Sequence, residues 1–216
     1  SPMSRGLGDV YKRQDQESGD NLGISVAISD PFMVAGAWWE DGLSSVSASG
    51  AAYVYKRQTN GSWTEVQKLN SPNPESSGYF GFSVAIDEGY LLVGAYNEDI
   101  DTLFNAGRVY AYSLTSADTF GYDGELSASH ADHGDLFGYS VALTKEYALI
   151  GAPENSYDDQ ESDFKNGAGA AYLFKRQGTQ SWTQLRKLTA FDREAGNHFG
   201  KYLDIDPQGL VIGAFN

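Results

Sequence analysis

The chain has 216 residues, a formal net charge of −14 and no cysteine, which excludes a disulfide framework and a thiolate metal site. With 15 Lys and Arg against 29 Asp and Glu, it lacks the clustered cations that displace counterions, so no nucleic-acid partner is expected. No stretch reaches the roughly 20 apolar residues of a membrane span, and membrane insertion of this segment is not expected either.

Residues 1–14, SPMSRGLGDVYKRQ, do not share the pattern that follows and read as a non-repeat leader or the remnant of a preceding blade. From residue 15 a block recurs. Its first glycine is Gly23, Gly81, Gly138 and Gly200; its second, always 13 residues on, is Gly36, Gly94, Gly151 and Gly213. A third landmark, Gly50-Ala-Ala-Tyr53, Gly107-Arg-Val-Tyr110 and Gly169-Ala-Ala-Tyr172, precedes Leu69, Leu126 and Leu188 by 19 residues. These registers divide the chain into blocks 15–69, 70–126 and 127–188 and a partial block 189–216. Short-strand repeats of 40 to 60 residues are the mark of propeller blades, which cannot bury their faces without neighbours.

Within a block the elements follow in order. Phe82, Val84 and Ile86 alternate with Ser83 and Ala85, a strand with one bulky and one small face. Tyr90 to Ala95 is apolar on both faces and belongs between layers, as do Leu149 to Ala152 and Leu210 to Ala214. Third strands are predicted at Ala51–Lys56, Arg108–Tyr112 and Ala170–Lys175, and fourth strands at Trp63–Leu69, Tyr122–Leu126 and Trp182–Leu188. Thr59-Asn60-Gly61-Ser62 and Gly178-Thr-Gln-Ser181 supply hairpin turns between them. Small residues dominate the early strands, Tyr and Trp the later ones, as in a wedge with its narrow end at an axis. The expected fold is all-β: a partial β-propeller of four-stranded antiparallel blades, three complete and a fourth represented by its two inner strands. Such an arc leaves the Leu210–Ala214 edge unpaired, which predicts further blades from the missing part of the chain, and self-association or low stability without them.

These residues resemble the FG-GAP repeat, the blade unit of integrin alpha-subunit headpieces. Phe80-Gly81, Phe137-Gly138 and Phe199-Gly200 match its first element and Gly151-Ala152-Pro153 its second; Leu22-Gly23 departs at the aromatic, and Trp38, Tyr96 and Phe215 replace the proline. The resemblance implies an extracellular or cell-surface location, adhesion-type binding, and calcium held by an Asp-x-Asp-x-Asp-Gly-x-x-Asp loop between the first two strands. Here those connections are Ser29-Asp30-Pro31, Asp87-Glu88-Gly89, Thr144-Lys145-Glu146 and Asp206-Pro207-Gln208-Gly209, too short and too poor in carboxylates for the six to eight oxygens calcium prefers.

Acids gather instead between the second and third strands. Asn97, Asp99 and Asp101 alternate, and Asp158, Asp159, Glu161 and Asp163 lie within six residues; either set could present oxygens to Ca2+, or could be a solvated loop. Acids also precede each Phe-Gly: Glu17, Glu75, Asp132 and Glu194 six residues ahead of the glycine, with Asp20, Asp135 or Asn197 three ahead. Backbone N–H groups of the turn are their expected partners. His130, Asp132, His133 and Asp135 lack a fixed zinc spacing. Trp38, Trp39 and Tyr96 could offer aromatic faces to a protein or glycan partner, or pack between blades.

No nucleophile elbow, cysteine nucleophile, phosphate-cradling loop or His-Glu-x-x-His pair is present. The expected function is therefore a non-enzymatic interaction module that binds a protein or glycan through inter-strand loops. A carbohydrate-active or metal-dependent enzyme domain using the loop carboxylates is the alternative.

Overall fold

The computed structural model describes residues 19–41, 46–178 and 181–215; the leader, Glu17 and Asn216 fall outside them. Among the described residues there are fourteen strands and no helix. Sheet 1 comprises β1 (Leu22–Ser29), β2 (Phe32–Ala37), β3 (Ala51–Arg57) and β4 (Trp63–Asn70). Sheet 2 comprises β5 (Ser83–Asp87), β6 (Tyr90–Ala95), β7 (Arg108–Leu114) and β8 (Phe120–Leu126). Sheet 3 comprises β9 (Ser140–Leu143), β10 (Tyr147–Ala152), β11 (Ala170–Arg176) and β12 (Trp182–Leu188). Sheet 4 is the hairpin β13 (Tyr202–Asp206) and β14 (Gly209–Gly213). Within each sheet every strand pairing is antiparallel and follows chain order, so each four-stranded sheet is a meander. The arrangement is an unclosed partial propeller, with β1, β5, β9 and β13 as successive inner strands in contact.

The both-faces-apolar second strands are explained by two-sided packing. On β6, Leu91 and Val93 turn back to sheet 1, joining Phe32, Val34, Ala52 and Val54 in one core cluster. Leu92 turns forward with Ala85, Val109 and Ala111 onto Ile150, Ala170 and Tyr172 of sheet 3. Period-2 alternation thus serves two cores rather than a core and solvent.

Glycines set how closely sheets approach. A Cβ on Gly36, Gly94 or Gly151 would stand 1.8, 2.2 or 1.9 Å from the carbonyl oxygen of the next sheet's Phe-Gly glycine, a clash that backbone cannot relieve. The Phe-Gly phenylalanine plugs the same seam: Phe80 and Phe137 are fully buried, against Tyr110 and Tyr172 respectively.

Each outer strand carries one extra residue at the same place. The register slips across Val66, Asp123 and Leu185 in the ladders to β3, β7 and β11. Such bulges twist an edge strand away from intermolecular pairing, and all three fall on the free edges of their sheets.

Candidate interaction face

In a meander that leads into the next sheet, the β2–β3, β6–β7 and β10–β11 loops emerge on the same side as the segments that carry Phe-Gly. That side therefore gathers every feature singled out above except the short hairpin turns. At its inner part, six aromatic rings form a continuous belt. Trp38 lies edge-on to Trp39 at 4.9 Å, to Tyr79 at 4.7 Å and to Phe82 at 5.7 Å. Trp39 stacks on Tyr79 at 5.6 Å and 17°. The belt then passes from Phe82 to Tyr96 at 4.5 Å and to Tyr139 at 4.9 Å, with Tyr96 and Tyr139 5.3 Å apart.

The three aromatic residues selected from sequence, Trp38, Trp39 and Tyr96, are thus brought together. Tyr79, Phe82 and Tyr139 complete the belt and were missed. Their signal was positional: Tyr79 immediately precedes a Phe-Gly, and Phe82 and Tyr139 immediately follow one. The rings are half-buried against one another, while Trp39 is 44% exposed. Burial, followed by the neighbouring phenols of Tyr79 and Tyr139, pushes the Tyr96 hydroxyl up to about 12.

The acidic loops lie around this belt and close largely on themselves. Asn97 donates through Nδ2 to the Ser77 carbonyl at 2.8 Å, tying its loop to the segment that holds Tyr79. Asp99 accepts the Asn105 amide at 2.8 Å through Oδ1, its own amide donates to Glu75, and its carbonyl accepts from Arg108. Asp101 is at a turn position with φ 55°. Asp158 accepts the amide and the hydroxyl of Ser162 at 2.7 and 3.0 Å, and that backbone donor is the main cause holding its carboxyl below the usual range. Asp159 accepts from Gln160, Glu161 pairs with Lys187 at 2.6 Å, and Asp163 pairs with Arg193 at 3.2 Å. Asp158, Asp159 and Asp163 also line a groove of about 950 Å³ together with Lys165, Arg186 and Arg193. Among the described residues, no group of three or more His, Asp or Glu side chains is placed to hold a metal ion. The carboxylates act here as braces for loop backbone and partners for Lys and Arg.

Acids ahead of Phe-Gly also accept backbone amides. Glu75 takes that of Asp99, Asp132 that of His133 at 2.7 Å, and Asp135 that of Asp132 at 2.9 Å. His133 Nδ1 accepts the Phe104 amide at 3.0 Å, and His130 Nδ1 contacts Ser129 Oγ at 3.1 Å.

Three carboxylates on this side of the sheets are buried, two in the loops after the second glycines and one ahead of a Phe-Gly. Glu98 is 1% exposed and accepts hydrogen bonds from Ser71 Oγ at 2.5 Å and from the Tyr110 hydroxyl; burial pushes its carboxyl up to about 7. Asp135, 2% exposed, accepts from Asn155 Nδ2 at 2.9 Å, and burial pushes it up to about 6. Glu40 is likewise buried and pairs with Lys68 at 2.8 Å. Glu40, Glu98 and Asn155 each stand four residues after the second glycine of their block. That recurrence is the signal that could have marked the position as internal.

The family model of the FG-GAP repeat matches residues 13–55, 63–112, 120–174 and 182–216. The chain belongs to the FG-GAP repeat family. The matched units are phased one strand earlier than the sheets, each complete later unit beginning on an outer strand and ending on the third strand of the next sheet. An FG-GAP unit therefore straddles a seam and includes the Phe-Gly contact that joins two sheets. Among solved structures, that of Sqt1 from Chaetomium thermophilum is similar with a TM-score of 0.54 and 11% identity. The likeness covers 90% of this chain and 41% of that one, so the chain spans less than half the length of that neighbour, and it speaks for the fold alone. A comparison with curated proteins gives no match.

Proposed function

We propose that this FG-GAP segment is a non-enzymatic interaction module, extracellular or at the cell surface, that docks a protein partner on the face carrying the aromatic belt. The carrying observation is the belt itself: six contiguous rings spanning three sheets, with the indole of Trp39 open to solvent. Trp and Tyr supply large contact area at low conformational cost and dominate protein-binding hot spots, while a charged rim sets orientation and on-rate. The rim here is acidic, as is the whole chain at −14, which favours a partner with a basic surface. The FG-GAP family supports the surface location, and no helix among the described residues is long and apolar enough to cross a membrane.

Selection of a random peptide library on the wild-type protein, followed by binding to Trp39→Ala and Tyr79→Ala variants, tests the proposal. Enriched peptides should be rich in Lys or Arg and should lose at least tenfold in affinity on either variant. Peptides that bind wild type and both variants equally would place the binding surface elsewhere. Binding confined to a glycan array, and lost in the same variants, would keep the face but change the partner class.

A further inference from the structure

The outer hairpins of the three complete sheets are closed in the same way. Gln58, Thr115 and Gln177 donate their amides to the carbonyls of Ser62, Thr119 and Ser181, at 2.8 Å in each case. The loop of sheet 1 is Gln58-Thr59-Asn60-Gly61-Ser62, and it contains the only Asn-x-Ser or Asn-x-Thr triplet in the chain. Asn70-Ser71-Pro72 and Asn155-Ser156-Tyr157 lack the hydroxyl at the third place. Such a triplet on an exposed loop of a secreted protein is an acceptor of asparagine-linked glycan.

The loop has room for one. Asn60, Gly61 and Ser62 are exposed, and a Cβ on Gly61 would meet nothing within 4 Å. This exposure does not come from the ends of the array. In sheet 2, which has a sheet packed on either side, the same loop position is Ala117, and it is exposed too. The residue that touches a neighbour there is the next one: Asp118 reaches back to Lys56 of sheet 1 at 2.5 Å, and its counterpart in sheet 1 is Gly61.

The modification also leaves the hairpin intact. Asn60 Oδ1 accepts the amide and the hydroxyl of Ser62 at 2.9 and 2.7 Å, an Asx turn that uses the side-chain oxygen alone. None of the described residues accepts a hydrogen bond from Nδ2. A glycan replaces one hydrogen on Nδ2, so both bonds from Ser62 are kept. We infer that Asn60 is the attachment site of an N-linked glycan. The inference rests on the surface location proposed above, because the donor, an oligosaccharide on a lipid-linked diphosphate, is met in the secretory lumen. In the transfer Nδ2 bonds to the anomeric carbon, the bond from that carbon to the diphosphate oxygen breaks, and Nδ2 loses a proton; nothing is oxidised or reduced. In a meander the β3–β4 hairpin emerges opposite the β2–β3 loop, which carries the belt. The glycan therefore shields the face away from the docking surface and leaves the belt open.

The full 216-residue chain, expressed behind a cleavable secretion leader in glycosylating eukaryotic cells, provides the test, with the tryptic peptide 58–68 read by mass spectrometry. Glycosidase release in heavy-oxygen water should label that peptide, and the same digest without glycosidase corrects for spontaneous deamidation at Asn60-Gly61. Most of the wild-type peptide should carry glycan, Ser62→Thr should keep it, and Asn60→Gln and Ser62→Ala should abolish it. An unmodified 58–68 peptide from wild-type protein, whether secreted or held in the microsomal fraction, overturns the inference, as does a label that survives in Ser62→Ala. Because the leader supplies the location, that outcome is independent of the docking proposal. Glycosylated and glycosidase-treated protein should bind the belt-selected peptides with equal affinity; a loss confined to the glycosylated form overturns the placement of the glycan.

Discussion

Sheets 1 and 2 each bury a glutamate four residues after the second glycine of the block, yet Glu40 and Glu98 live in different surroundings. Glu40 has the ammonium of Lys68 at 2.8 Å, from the residue before Leu69. The same position before Leu126 holds Glu125, which turns to Arg108 instead, at 2.7 Å. Glu98 is left with two hydroxyl donors, Ser71 and Tyr110, and with the Glu75 carboxylate and the Arg108 guanidinium acting at longer range. Sheet 3 offers a third solution: the acid comes from the Phe-Gly segment as Asp135, and the loop position is the neutral Asn155. The fold asks for a hydrogen-bonded polar group at this place, and the neighbouring residues decide whether an ammonium or hydroxyls donate to it.

The largest expected effect follows from Glu98. Its carboxyl is raised from an ordinary 4.5 to about 7, so the folded state holds a proton that the unfolded state releases. This contribution to stability is complete below about pH 4.5 and is lost as pH rises through 7, on the order of 3 kcal/mol in all. Denaturant unfolding at pH 5 and pH 8 should show wild type losing that much, and Glu98→Gln losing far less. The slope remaining in the variant belongs to Asp135, raised by burial to about 6 from 3.8, and to Glu75, which burial also raises. An equally steep loss in Glu98→Gln would break the comparison at its strongest point.

Second in size is Lys68→Ala, expected to cost about 2 kcal/mol at pH 7 by withdrawing a charged donor from the buried Glu40. Lys68 also covers the Tyr53 ring, 5.3 Å from its centroid. Lys68→Met keeps the stem and removes only the charge; a Met variant as stable as wild type would assign the cost to packing.

Glu125→Lys transplants the arrangement of sheet 1 into sheet 2. Losing the partly exposed pair with Arg108 should cost under about 1 kcal/mol, while the new cation lowers the Glu98 midpoint. Titration of the Glu98 side-chain carbonyl carbon by NMR reads this directly. A midpoint that stays near 7 would show that the two positions are not interchangeable.

The smallest effect separates the buried acids from the aromatic belt. Trp39→Ala removes a ring 44% exposed, stacked on Tyr79 and edge-on to Trp38, and should change the free energy of unfolding by about 0.5 kcal/mol. A loss of several kcal/mol would make Trp39 a core residue and count against its role in docking.

Much of this fold was legible because its determinants are local and recur. The constant 13-residue step between glycines marks a hairpin in every block, and two-sided apolar strands such as Tyr90–Ala95 require neighbours on both faces. Boundaries shifted by one or two residues: β8 begins at Phe120 rather than Tyr122, because Gln67 of sheet 1 exchanges hydrogen bonds with the Phe120 backbone. The site was legible only in part. Trp38, Trp39 and Tyr96 follow the second glycines, but Tyr79, Phe82 and Tyr139 join them through contacts across sheet boundaries that no period in the sequence displays. Glu98 sits in the sequence between Asn97 and Asp99 and reads like either, yet it alone of the three points inward.

By itself, the sequence determined the repeat, the strand order within each sheet and the close approach at the glycines, since these rest on spacing, alternation and the absence of a Cβ. Only the tertiary structure decided which acids are buried and which brace loops, and where aromatic rings from three blocks meet. Those outcomes depend on contacts between blocks: burial raises Glu98, and the hydrogen bonds donated by Ser71 and Tyr110 only partly offset it.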